Sequence, residues 1–304
     1  MGTTARMETD IDVRGPFSLQ HALEFLSGFP PAGLSQQDQE YRSAHLVRGR
    51  PLLVRLTQPA TNRVRLTVEG ERVDDSDLAE ATDLVSRIFS LTIDATPFYE
   101  RIGVDDPVVG ALQRRFPGLR PVLFGSLLEA LCWAVISQRT NLAQATRART
   151  RLVETFGPVM QADGQRWQAF PSPETLSDLD ATLDTDRLRL PAVKVERLAA
   201  LGERGVAGDL DADLLGAIPV DEARGWLQQS PGIGPWASEF ALIRGVGFPD
   251  LLPHGERRFV NAIRHAYDLD HQPSDAEIHS ISERWSGFRS WASFLLRVGA
   301  PPAP

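Results

Sequence analysis

The chain has 304 residues, of which 42% are hydrophobic and 24% are charged, and its formal net charge is −8 at pH 7. This composition is typical of a globular protein with one large or two smaller domains. The single cysteine, Cys132, excludes a disulfide within the chain and an iron–sulfur cluster held by its own cysteines. The acidic balance disfavours nucleic acid as a partner, but only weakly, because salt screens distant charges beyond about 10 Å.

The sequence carries no signal for export or membrane insertion. Residues 1–15 contain charges of both signs and no apolar core, so we expect no signal peptide. The most apolar run, residues 122–136, contains Ser126 and Glu129 and is too short and polar to cross a bilayer. We therefore expect no membrane partner. The protein is also expected to be a monomer and to be cytoplasmic, or nucleoid-associated if it is bacterial.

The N-terminal region combines helical and strand patterns. Residues 1–15 are expected to form a flexible tail, and residues 16–92 an α+β domain with a small antiparallel sheet. The predicted elements are a helix at 17–29, strands at 41–48, 52–58 and 63–68, and a helix at 74–88. Within the strands, Leu52, Val54 and Leu56 alternate with other residues and share one face. Acidic residues open the last helix, where its dipole favours negative charge.

Beyond residue 93 the strand patterns disappear, and we expect an all-helical domain at 93–304. The predicted helices lie at 97–102, 106–115, 124–138, 142–155, 173–179, 193–203, 211–216, 220–229, 235–246, 256–267, 275–285 and 288–298. The fold class is therefore mostly α, with a small N-terminal α+β domain.

A bare turn separates two of these helices. Its sequence is Pro-Gly-Ile-Gly from Pro231 to Gly234, and Pro235 suits the first turn of the following helix. Two glycines allow close approach to the main chain, and the exposed helix start favours an anion such as phosphate. An ordinary corner between two helices is the alternative interpretation.

A second loop, Pro253-His254-Gly255-Glu256, places a carboxylate at a predicted helix start. The helix dipole stabilises the ionised form of such a group. Glu256 is therefore either a functional carboxylate or simply a helix-start residue.

Polar residues also follow the apolar helix that ends near Ser137. Gln138 and Arg139 form either a plain helix end or a loop that intrudes on a partner. Arg147 and Arg151 share one face of the next helix, where they are solvated or contact phosphates. Trp236, beside the glycine turn, is either a core residue or the wall of a pocket that stacks on a base.

Taken in order, these motifs resemble those of the helix-hairpin-helix DNA glycosylase superfamily. The branch they resemble most is the 3-methyladenine DNA glycosylase II, or AlkA-like, branch. The similarity covers residues 94–298, and the N-terminal region resembles that branch's first domain more weakly. The supporting segments are Ile136-Ser137-Gln138, Pro231 to Ala237, the loop from Asp250 to Glu256, and Arg284 to Ala292.

The resemblance implies an enzyme that flips a damaged base out of double-stranded DNA and cuts its N-glycosidic bond. Main-chain groups of Gly232, Ile233 and Gly234 would hold the DNA backbone, and Gln138 and Arg139 would form the wedge. The carbonyls of Gln228, Ser230 and Ile233 would hold a structural K⁺ or Na⁺ when DNA is bound. No other cofactor is expected.

The resemblance also assigns catalytic and pocket residues. Glu256 occupies the position of the family's catalytic aspartate. Strand-cleaving members carry a lysine where this chain has Trp236, so no lyase activity is expected. The residues assigned to the base pocket are Trp236, Phe240, Phe288 and Phe25. Arg257 replaces an expected aromatic residue, and its positive charge would disfavour a cationic base.

The sequence is also compatible with two other functions. The change from aspartate to glutamate at position 256 fits a catalytically weak or inactive protein that binds lesions on the same fold. The acidic net charge fits a helical protein-interaction module. The damaged base is not defined by these motifs.

Overall fold

The N-terminal part of the chain forms a four-stranded antiparallel sheet with strand order β1-β4-β3-β2. The computed structural model describes residues 5–29 and 39–301. The strands are β1 (Ala5–Asp12), β2 (Tyr41–Val47), β3 (Arg50–Ala60) and β4 (Arg63–Gly70). Val54 pairs with Val68 and Leu56 with Leu66, and all four side chains are buried, which confirms the predicted apolar face.

Strand β1 corrects the prediction of a flexible tail over residues 1–15. Ala5–Asp12 pairs with β4 along its whole length, and Asp10 forms an ion pair with Arg65 at 2.8 Å. None of its eight side chains is buried. The strand is therefore held by backbone pairing rather than by an apolar face, and hydrophobic alternation could not reveal it.

Helices make up most of the rest of the chain. The α-helices are α1 (Leu19–Ser27), α2 (Asp75–Ile88), α3 (Gly103–Asp105), α4 (Pro107–Arg115), α5 (Leu127–Ser137), α6 (Leu142–Phe156), α7 (Pro173–Ser177), α8 (Asp184–Leu188), α9 (Ala192–Val206), α10 (Ala212–Gly216), α11 (Val220–Gln228), α12 (Pro235–Ala241), α13 (Arg257–Ala266), α14 (Asp275–Ser282) and α15 (Arg289–Gly299). Two π-helical turns, Phe98–Ile102 and Leu242–Val246, precede α3 and follow α12. The short helix α8 had not been predicted.

A hairpin of two short strands makes the prediction of an all-helical region 93–304 wrong. Strands β5 (Val159–Ala162) and β6 (Gln165–Gln168) are joined by Asp163-Gly164, both with positive φ. Asp-Gly with two positive φ angles is typical of a tight hairpin turn, so a sequence signal was present. Met160 and Ala162 pack against Leu53, and Asp163 pairs with Arg55. The hairpin thus covers the second face of the N-terminal sheet.

Helix α5 lies at the centre of the helical region. Its residues from Leu127 to Ile136 are all buried, and they pack against α9 and α12. A separate cluster around Phe98, Trp285 and Trp291 joins α4, α13 and α15. Among the described residues, no helix is both long and apolar enough to cross a membrane.

Candidate functional site

The glycine turn between α11 and α12 adopts the conformation that its residues allow. Gly232 has φ +82°, and a Cβ at this position would lie 2.4 Å from Cδ of Arg197. Gly234 caps α12 with extended backbone and has open space where a side chain would be. The N–H groups of Gly232 and Gly234 meet no acceptor among the residues that the structure describes. The turn therefore presents free donors to solvent.

The turn after α5 is tied directly to this hairpin. Gln138 donates from Nε2 to the Gly232 carbonyl at 2.8 Å and accepts from Nη1 of Arg197 at 3.3 Å. Arg139 has φ +51°, which is uncommon for a residue with a side chain, and its side chain is exposed. Of the two wedge candidates, Gln138 is bound to the hairpin and Arg139 projects freely.

The only lysine of the chain, Lys194 on α9, holds the same turn. Its Nζ donates to the carbonyls of Ile136 and Gln138 and to Oγ1 of Thr140, at 2.7–2.8 Å. Burial lowers the Lys194 pKa, and the charge of Arg197 acts in the same direction. Three acceptors around one point match the three donors of an ammonium group. Lys194 therefore fixes the backbone from which Arg139 projects.

These elements enclose an open groove of about 830 Å³. Its walls are the turn after α5, the start of α9 and the hairpin from Gln228 to Gly234. The carbonyls of Gln228 and Ile233 accept no hydrogen bond from the described residues, whereas Ser230 O accepts the Ile233 N–H at 3.1 Å. Two of the three predicted cation ligands thus have free oxygens, which suit a hard monovalent cation.

Glu256 lies at the start of α13, as predicted, but its side chain does not cap the helix. Its Oε2 is 3.2 Å from Nη1 of Arg297 on α15, and the carboxylate side chain is 19% exposed. The nearby Asp250 instead pairs with Arg289 at 2.8 Å and accepts the Arg289 N–H at the start of α15. Asp250 is therefore structural, and Glu256 is the acid that faces the interior beside the hairpin.

A narrow cavity of about 20 Å³ lies next to Glu256. Its lining residues are Trp236, Glu239, Phe240, Ile243, Arg244, Pro253, His254, Glu256 and Arg297. The rings of Trp236 and Phe240 stack at 5.5 Å between centroids, with an interplanar angle of 23°. This volume holds about one water molecule, so a base enters only if side chains move.

Arg244, in the π-helical turn after α12, is one of the residues that line this cavity. Its guanidinium packs over the rings of Phe25, Phe29 and Phe124 at 5.1–5.7 Å. It is 3% exposed and donates no hydrogen bond to any residue that the structure describes. Burial lowers the Arg244 pKa to about 9, with Arg297 adding to the effect and Glu256 opposing it. A buried cation without a partner is rare because desolvation disfavours it.

Two of the four aromatic residues assigned to the pocket, Trp236 and Phe240, line the cavity. Phe25 does not line it, but its ring centroid lies 5.5 Å from the Arg244 guanidinium. Phe288 does not line it, and packs instead against Phe98 and Trp291 in the helical core. The assignment of Phe288 to the pocket wall is therefore not supported, because the start of α15 directs this ring into the core.

The cationic residues of the pocket differ from the one that the sequence indicated. Arg257 is exposed and does not line the cavity, whereas Arg244 and Arg297 do. A charge within the apolar run Leu242-Ile243-Arg244 was the available signal for Arg244. Lys194 could have been noticed as the only lysine, but Arg297 had no distinguishing pattern.

Comparison with known proteins supports the motif analysis. No family model matches the chain. It is 31% identical over 217 residues to the DNA-3-methyladenine glycosylase of Bacillus subtilis, covering 71% of each protein. It is 30% identical over 287 residues to a probable bifunctional transcriptional activator/DNA repair enzyme AlkA of Mycobacterium tuberculosis, covering 93% of this chain and 55% of that protein.

The fold is shared with solved structures as well. A 3-methyladenine DNA glycosylase from Archaeoglobus fulgidus superposes with a TM-score of 0.82 at 19% identity, covering 95% of this chain and 97% of that one. This confirms the helix-hairpin-helix DNA glycosylase fold. The chain belongs to the DNA-3-methyladenine glycosylase family, in its AlkA-like branch.

Proposed function

We propose that this protein is a monofunctional DNA glycosylase of base excision repair that excises alkylated purines such as 3-methyladenine from double-stranded DNA. The observation that carries the proposal is the shared cavity of Trp236, Phe240 and Glu256, directly behind the glycine hairpin. The family membership supports the same reaction. The enzyme acts as a monomer in the cytoplasm.

Glu256 supplies the electrostatics of bond cleavage. As the N-glycosidic bond breaks, positive charge develops on the sugar, and a fixed carboxylate next to that carbon stabilises it. The ion pair with Arg297 and the partial burial of Glu256 keep the carboxylate in one orientation. The same group is placed to orient the attacking water.

The hairpin and the wedge turn position the DNA. The free N–H groups of Gly232 and Gly234 donate to a phosphate, and Arg139 fills the gap left by the flipped base. The hydrogen bond between Gln138 and Gly232 fixes the distance between the wedge turn and the hairpin. When DNA is bound, K⁺ or Na⁺ joins the carbonyls of Gln228, Ser230 and Ile233 and adds positive charge near the backbone. No other cofactor is required.

The product is an intact strand with an abasic site. Strand cleavage through a Schiff base requires an amine at the reacting sugar. The position beside the hairpin carries Trp236, and the amine of the only lysine, Lys194, is bound to the wedge turn. Neither residue supports lyase chemistry.

Release of free base from a methylated duplex, under single-turnover conditions, tests the proposal. We expect Glu256→Gln to lower the rate about 10²- to 10³-fold, because it removes the charge that stabilises the transition state. Asp211→Asn is the matched control, since Asp211 is another acid at a helix start, capping α10. Undiminished release by Glu256→Gln, or no release by the wild type, would count against the proposal.

The ion pair with Arg297 also engages the Glu256 carboxylate, and this favours a second candidate function. In that case the protein is a weak or inactive lesion-binding protein. A glutamate is one methylene longer than aspartate, and a displacement of about 1 Å can lower a rate about 100-fold. In that case the wild type binds a duplex with an abasic analogue without releasing base. Glu256→Asp then creates or strongly raises activity, whereas under the first proposal it does not.

A further inference from the structure

Arg244 is the buried charge that the proposed reaction leaves without a role. Arg297, the other arginine of the cavity, is paired with Glu256, and Glu239 is engaged by the backbone N–H of His254 and by Arg224 at 3.7 Å. Arg244 has neither an acid within salt-bridge distance nor a hydrogen-bond acceptor in the described part of the chain. Among the described residues, the cavity lining therefore includes one cation without a salt bridge, and its N–H donors are unused.

The surroundings of Arg244 suit contact with a ligand. The residue lines both the cavity of Trp236 and Glu256 and a second cavity of about 60 Å³ toward the N-terminal sheet. It lies in a single π-helical turn, a distortion often found at functional sites. The faces of three phenylalanine rings support the guanidinium without accepting its hydrogen bonds.

We propose that Arg244 recognises the flipped base by donating hydrogen bonds to its carbonyl oxygen, so that the enzyme selects 6-oxopurines over 6-aminopurines. The inference rests on the proposed glycosylase function and changes its preferred substrates from alkylated purines in general to 6-oxopurines, with 3-methyladenine ranked below them. A guanidinium has only donors, so it requires an acceptor. The 6-oxo group of hypoxanthine or 7-methylguanine is such an acceptor, whereas the amino group of 3-methyladenine is a donor at the same position.

Charge acts in the same direction as hydrogen bonding. Two arginines, Arg244 and Arg297, line the same cavity. Two acids line it as well. Glu256 pairs with Arg297, and Glu239 pairs with His254 and Arg224. A surplus cation disfavours a positively charged base in a low-dielectric site. The expected order of preference is hypoxanthine, then 7-methylguanine, then 3-methyladenine.

A single methylated duplex tests the role of Arg244 in base selection. It contains both 7-methylguanine and 3-methyladenine, two cationic purines that differ at position 6. We expect Arg244→Met to lower the ratio of 7-methylguanine release to 3-methyladenine release about tenfold, the effect of about 1.4 kcal/mol of lost discrimination. Arg244→Lys, which keeps a charged donor, retains most of the ratio. An unchanged ratio in Arg244→Met overturns the inference and leaves the proposed function intact.

A binding measurement on the wild type does not depend on chemistry or on the folding of a variant. The protein is bound to a duplex with an abasic analogue, and the affinities of free hypoxanthine and free adenine are measured by calorimetry. We expect hypoxanthine to bind at least tenfold more tightly. Equal affinities, tighter binding of adenine, or no binding of either base would overturn the inference. Absence of base release, in contrast, counts against the proposed function alone.

Discussion

Two buried arginines occupy contrasting environments in this protein. Arg120 is 1% exposed and Arg244 is 3% exposed, and both pack against aromatic rings. Arg120 donates five hydrogen bonds of 2.5–3.1 Å to main-chain carbonyls, and Arg244 donates none within the described structure. The carbonyl partners of Arg120 are those of Arg14, Gly15, Pro16, Ser90 and Ile93.

The difference separates a structural cation from a functional one. Arg120 joins the segment after β1, the segment after α2 and helix α15 into one unit, and each of its donors is satisfied. Arg244 contributes packing but no hydrogen bond to the described residues, and it lines the cavity beside Glu256. Because their hydrogen bonding differs, we expect mutation of Arg120 to lower the stability of the protein and mutation of Arg244 to change its specificity.

The largest effect on folding is expected for Arg120→Met. The substitution removes the Arg120 donors from five main-chain carbonyls, of which only that of Arg14 keeps another donor among the described residues, the Ala95 N–H. We expect the free energy of unfolding to fall by about 3–5 kcal/mol. The midpoint of thermal unfolding then drops by about 5–8 °C. A loss below about 1 kcal/mol, measured by urea unfolding, would remove the contrast between the two arginines.

A smaller effect is expected from acid, through His45 in the second cavity that Arg244 lines. Burial lowers the His45 pKa to about 4, and the charge of Glu129 opposes this shift in part. Between about pH 6.5 and pH 4 the unfolded chain binds a proton that the folded chain does not. Stability should therefore fall across this window as pH decreases, by up to about 3 kcal/mol.

His45→Gln isolates that contribution. Glutamine does not titrate and can still hydrogen-bond to Tyr41, whose hydroxyl lies 2.8 Å from Nε2 of His45. We expect the variant to lose clearly less stability than the wild type between pH 7 and pH 4.5 in denaturant unfolding. Identical pH profiles would show that other groups cause the acid sensitivity.

The smallest effect on folding is expected for Arg244→Met. Methionine fills the space between the phenylalanine rings, and the change removes a buried charge without leaving an acceptor unpaired. The free energy of unfolding should stay the same or rise by up to about 1 kcal/mol. A loss above about 2 kcal/mol would assign Arg244 a structural role like that of Arg120.

Local sequence signals were sufficient for many elements. Helix α11, the glycine turn and α12 follow from capping, proline and glycine preferences, and the start of α13 at Glu256 follows from the loop before it. Local sequence signals failed to predict strands whose stability comes from packing on, or pairing with, a distant strand. Strand β1 has no buried side chain, and the β5–β6 hairpin is stabilised by packing on the distant β3.

The sequence by itself determined the family resemblance, the hairpin, the position of Glu256 and the aromatic character of Trp236 and Phe240. Each depends on neighbours within a few residues, where backbone preferences act. Only the tertiary structure decided that Phe288 lies in the core, that Arg257 is exposed and that Arg244 is buried with no partner in the part of the chain that the structure describes. Burial and charge pairing depend on side chains brought together from remote segments, and no local pattern encodes that proximity.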